Sequence, residues 1–223
     1  DKLSMLLKDR ISQYRCSGED SEDSEIAMKA SLDIFNEMKR SLNSADCSCC
    51  SIALITSVRC VADAEDNDGV KEIYTSCISD WATRKTSKIH SCVFQDLIKR
   101  MPNLASTALI NPLIEATKKG NSAFIKCESV RLLAAIFHEC GADEKLSDKA
   151  KNMMKEGSSA VAKSLSDSLA DSSLQKKAKH RDEIINAVKH FVNFVKAQKE
   201  STLTESELST LQESLSEAGD RCN

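Results

Sequence analysis

Only six glycines and two prolines interrupt the 223 residues, and aromatic side chains make up 4% of them. A β-sandwich or barrel needs turn residues roughly every 8–12 positions and leans on aromatic and β-branched runs, so this composition excludes both. Long apolar stretches are missing too. None approaches the roughly 18 residues that a membrane-spanning helix requires, and no secretory leader pattern is present. Charge of one sign is also lacking: 31 basic residues stand against 34 acidic ones, a net of −3. Nucleic acid would therefore meet no global attraction, only a local patch. The sequence holds no Asn-x-Ser/Thr acceptor, no Gly-x-Ser-x-Gly, no phosphate-cradling glycine loop and no His-Glu-x-x-His. Without a nucleophile or base signature, the expectation is a protein that is not an enzyme and carries no cofactor.

What remains is helix. Val70, Ile73, Tyr74, Cys77, Ile78 and Trp81 recur at the spacing of one helical face. Ile89, Cys92, Val93, Leu97 and Ile98 form the next stripe. Pro102 suits the first turn of a third segment, and Pro112 should kink or restart it. Gly120 punctuates the end of that segment behind Lys118 and Lys119, where the helix dipole favours cations. Val130, Leu133, Ala134 and Phe137 follow on one face. A long helix over 146–169 is weakened in its middle by Gly157-Ser158-Ser159. Ile184, Ile185, Val188, Phe191, Val192 and Val195 make a dense apolar stripe. The last helix opens on Thr204-Glu205-Ser206-Glu207, a capping box, ahead of Leu208, Leu211 and Leu215. Three further amphipathic segments precede residue 63, the first two joined by an acidic linker at 17–24.

Amphipathic helices separated by short polar turns pack as antiparallel pairs, and a stack of pairs is a solenoid. The expectation is an all-α chain of degenerate helical hairpins, similar to HEAT or armadillo repeats, with an irregular bundle as the rival. Residues 1–223 read as one all-helical domain, and a start at Asp1 fits a processed product or a fragment of a longer chain.

Ten cysteines are unusual for such a chain. Cys77, Cys92 and Cys127 fall on apolar stripes, where a free thiol acts as a small hydrophobe, so a reducing compartment is the preferred reading. Cys47 and Cys50 are the weak metal candidates, since they give one pair at zinc-ligand spacing and lack a matching second pair. His90, His138, His180 and His190 have no partnered signature and read as structural or solvated. Two basic clusters remain: Arg84, Lys85 and Lys88 in a turn, and Lys176, Lys177, Lys179 and Arg181 at a helix start. Cations at a helix N-terminus oppose the dipole, which favours a binding role for the second cluster. No aromatics interleave with either, so base stacking is not expected. Trp81 reads as a core anchor.

The order of these features carries a resemblance. Residues 69–137 run through a helix ending in tryptophan, a "TRKTS" basic turn, a helix closing on "KRMP", an apolar helix ending near "GNS", and a helix leading to "LLAAIF". Residues 175–211 add a Lys/His-rich helix start, an apolar helix and a short last helix. This series resembles the C-terminal part of the Myb-binding protein 1A family, nucleolar proteins once named as a fifth yeast DNA polymerase. The resemblance implies a helical-repeat scaffold in the nucleolus, without a polymerase active site, that supports ribosomal RNA transcription and ribosome biogenesis through protein contacts and ribosomal RNA. The alternative from another class is a secreted, disulfide-bonded helical protein that binds a ligand or receptor. The even cysteine count favours it, and the apolar placement of several thiols does not.

Overall fold

The computed structural model describes residues 71, 74, 75, 78, 79, 81–83, 88–141, 143–198 and 202–220. Among these residues there are eight α-helices and no strand. They are α1 (Lys88–Arg100), α2 (Pro102–Ala108), α3 (Ile110–Lys119), α4 (Ala123–Ala135), α5 (Asp148–Ala170), α6 (Ser172–Gln175), α7 (Ala178–Ala197) and α8 (Glu205–Asp220), with a π-helical turn over Ile136–Cys140 after α4. The described residues between 71 and 82 are helical as well. The three segments expected before residue 63 and the acidic linker at 17–24 lie outside the described residues.

The helices pair in sequence order. α1 packs on α2, α3 packs most extensively on α4, and α7 packs on α8. The first helices α1, α4 and α7 pack side by side in one layer, and α2, α3, α5 and α8 make the other. This two-layer array of hairpins is the helical-repeat architecture that the sequence pattern implies. The first-layer helices α1, α4 and α7 begin at Lys88, Ala123 and Ala178, an uneven spacing that fits the absence of a strict sequence period.

Local chemistry sets the breaks. Pro102 occupies the first turn of α2, where its missing N–H is no loss. Pro112 cannot donate to the Ala108 carbonyl, and the chain answers by ending α2 at Ala108 and restarting at Ile110, so the expected restart occurs two residues ahead of the proline. Ser122 caps α4 by accepting from the Ile125 amide at 3.2 Å. Asn121, in the same turn, reaches back to the preceding helix: its amide donates to the Ala82 carbonyl at 2.8 Å and its side chain to the Thr83 carbonyl at 2.7 Å. Carbonyls at a helix end are thereby satisfied by the turn of the next hairpin.

Gly157 does not break the long helix. α5 runs unbroken through Gly157-Ser158-Ser159, and a Cβ at 157 would stand 3.1 Å from Ile110 Cγ2. The glycine buys close approach of α5 to α3, and Ser158 is fully buried with its hydroxyl donating to the Met154 carbonyl at 2.8 Å. Helix propensity yields here to packing. Gly120 likewise ends α3 with φ −55°, so its value is again space: a Cβ would sit 2.6 Å from the Ala116 carbonyl oxygen.

One continuous core joins the layers. Tyr74, Ile78 and Trp81 are completely buried, and Trp81 meets Phe94 edge to face at 5.5 Å. Further along, Phe137 is flanked by Phe191 at 5.1 Å and Phe194 at 5.9 Å, both edge to face. Trp81 is thus the core anchor expected of it.

Candidate functional site

α4 lies between α1 and α7, so it is buried nearly all round, from Ile125 through Ala134. One of its buried residues is a carboxylate. Glu128 is only 6% exposed, and two helices combine to hold it. The Ser91 hydroxyl on α1 donates to its Oε2, and Arg131 Nη1 on α4 donates to its Oε1 at 2.6 Å. A buried charge so paired is tolerated because both oxygens keep hydrogen-bond partners.

On the other flank of α4, the Cys127 thiol faces Glu183 Oε2 of α7 at 3.4 Å and the His180 carbonyl at 3.7 Å. Burial, reinforced by the Glu183 carboxylate, pushes that thiol up to about 12. Cys140 is likewise pushed up to about 11 by burial. Burial thus favours the protonated form of both thiols, which makes them poor nucleophiles. Cys92, Cys127 and Cys140 are all free thiols. Cys92 is exposed rather than on the buried stripe expected of it: Leu97 and Ile98 are buried as expected, but in the preceding turn Ser91 and Phe94 face inward.

Two hollows open along this layer and share Arg131 and Glu183 on their walls. The first, about 460 Å³, lies between the starts of α1 and α7 and is lined by Cys92, Gln95, Phe124, Lys179 and His180, among others. The second, about 410 Å³, continues between α4 and α7 past Asn186 to His138, Glu139 and His190. Together they form a groove that crosses all three first helices. Three of the four histidines stand on it, and His138 and His190 meet edge to face with ring centroids 5.5 Å apart.

The basic cluster at the start of α7 sits where expected, with a division inside it. Lys176, Lys177 and Lys179 are exposed, and Lys177 is the N-cap without a side-chain cap bond. Lys179 also lines the groove. Arg181 is set apart: its side chain is 24% exposed, its Nε is buried without a hydrogen bond, and the nearest carboxylate, on Asp182, is 3.8 Å away. Arg84 and Lys85 lie outside the described residues, and Lys88 is the first residue of α1. Cys47 and Cys50 also lie outside them. Among the described residues no three His, Cys, Asp or Glu side chains converge as a metal-sized cluster, and no helix is long and apolar enough to cross a membrane.

Sequence reasoning missed Glu128, Arg131, Glu183 and Ser91. The one usable signal was a glutamate and an arginine inside the apolar run from Ile125 to Phe137. Their partners, Ser91 and Glu183, are separated from the Cys127–Glu128 pair by 37 and 56 residues, beyond what spacing reveals.

Comparison with known proteins places residues 11–223 on the family model described as "Myb-binding protein 1A-like, TPR repeats". No curated protein matches the chain. One solved structure, described as "Computational Design of Self-Assembling Cyclic Protein Homooligomers", aligns over 99% of this chain and 95% of its own at 11% identity, with a TM-score of 0.34. A likeness that distant carries no argument.

Proposed function

The chain belongs to the Myb-binding protein 1A-like family of TPR-repeat proteins, and from that premise we propose that it is a non-enzymatic scaffold acting in nucleolar ribosomal RNA transcription and ribosome biogenesis. The observation that carries the reading is the groove across α1, α4 and α7, with Lys179 on its wall and exposed Lys176 and Lys177 just before it in the chain. Stacked hairpins fix such a surface rigidly, so partner binding needs little ordering of the scaffold. The groove takes protein partners. The lysines add contacts to ribosomal RNA phosphates, which would be salt-dependent and indifferent to sequence, since no aromatic platform stands among them. Three like charges at a helix N-terminus cost a little stability where they are, and contact with an anionic partner offsets that.

Proximity labelling in cells from the full-length protein tests this, with and without reversal of Lys176, Lys177 and Lys179 to glutamate. The expected result is a labelled set rich in proteins of ribosomal RNA transcription, thinned by the reversal. A set without nucleolar proteins overturns the compartment. A set unchanged by reversal returns the lysines to a solvated face.

A further inference from the structure

We propose that a hollow separate from the groove binds a small organic acid, a carboxylate carried on an apolar body of roughly ten carbons. It spans about 440 Å³ between the π-helical turn, the first half of α5 and the end of α7. None of its lining residues is shared with the groove. Pockets of about 300–1,000 Å³ are the size that small organic ligands occupy.

The lining separates into an apolar part and a cationic rim. Phe137, Leu146 and Met154 are core residues that reach the hollow, and the half-buried Phe194 adds the ring that remains partly open. Gly141 makes room for that ring, because a Cβ at this position would stand 2.1 Å from Phe194 Cε2. With φ at −67°, the glycine serves space and not backbone conformation. Ser158 also lines the hollow, but its hydroxyl already donates to the Met154 carbonyl. This part therefore suits an apolar body.

The charged residues of the lining are Lys151, Lys155 and Asp143. Both lysines are exposed and stand one turn apart on α5, on the same side of the helix. Asp143 is engaged locally, with its Oδ1 accepting from the Lys145 amide at 2.9 Å. Asp148 lies 3.9 Å from Lys151 and is itself 99% exposed, a loose surface pair that competes weakly with a ligand. The rim thus favours an anion, and lysine stems can lie along an apolar body while their ammonium groups meet its carboxylate. A cationic ligand of the same shape would be repelled.

Calorimetric titration of the 223-residue chain with decanoate and with decylammonium, each below its micelle concentration, tests the site. One equivalent of decanoate is expected, with decylammonium at least about tenfold weaker. The Lys151→Glu, Lys155→Glu double variant should invert that preference, and because both side chains are exposed the core is left untouched. Ala197→Trp, at an exposed position of the lining, should fill the hollow and block both ligands. Circular dichroism is the folding control for each variant. Reversal of Lys176, Lys177 and Lys179 should leave decanoate binding unchanged, which keeps this site distinct from the scaffold reading. Equal affinity for the two ligands overturns the proposal. So does the absence of saturable decanoate binding, or decanoate binding that survives Ala197→Trp unchanged.

Discussion

Two seams in this molecule bury polar groups in opposite ways. Between α3 and α5 the buried groups are neutral: the Thr117 hydroxyl donates to the Ile114 carbonyl of its own helix at 2.8 Å, which leaves its oxygen to accept from the Ser164 hydroxyl 2.6 Å away. Between α1, α4 and α7 they are charged: Glu128 is bound by Ser91 and Arg131, and Cys127 faces Glu183. A hydroxyl can fall back on its own helix backbone, so the neutral seam makes few demands on the neighbouring helix. A buried carboxylate cannot do so and needs a donor from elsewhere. The charged seam therefore specifies how the first helices align, whereas the neutral one mainly lets α3 and α5 come close.

Breaking the charged seam should have the largest effect. Arg131→Met leaves Glu128 buried with one donor, and because the Arg131 side chain is 40% exposed the loss should be about 2 kcal/mol rather than the full figure for an enclosed pair. Urea unfolding measures it, and adding Glu128→Met should recover most of the loss. A double variant as unstable as the single would show that Arg131 acts by packing alone. The neutral seam should respond less. Ser164→Ala should lose about 1 kcal/mol, and combining it with Thr117→Val should add little; strict additivity of the two would break the comparison.

The smallest effect concerns pH. The Cys127 thiol is raised in the folded chain from an ordinary value of 9.0 to about 12, so the folded state favours the protonated form. That contribution is complete below pH 9 and declines as the pH rises from 9 towards about 12, because the unfolded chain ionises first. The urea midpoint should accordingly fall on going from neutral to alkaline buffer, and less so in Cys127→Ala. Alkylation of the native protein should reach Cys92 and spare Cys127 and Cys140. Fast labelling of Cys127 would mean that the seam opens.

Much of the fold could be read from residue spacing. Tyr74, Ile78 and Trp81 are buried as the period demands, and Thr204 and Glu207 form the reciprocal cap, with the Glu207 carboxylate at 2.9 Å from the Thr204 amide and Thr204 Oγ1 at 3.2 Å from the Glu207 amide. Both rest on contacts within one or two helical turns. The misjudged positions depended on neighbours distant in sequence. Cys92 faces solvent because Phe94 takes the inward position against Trp81, and Gly157 is accommodated because Ile110 fills the space a side chain would need. The groove was the least legible feature. Its histidines and acids are spread from Ser91 to His190, and only stacking of the hairpins brings them onto one surface.

By itself the sequence determined an all-helical chain, the positions of most breaks and caps, and the residues that fill the core, since each follows from interactions a few residues long. The tertiary structure alone decided which charges are buried and paired, which thiols are covered, and which histidines meet. Those outcomes depend on distances between helices, and a periodicity within one helix contains no information about its neighbour's register.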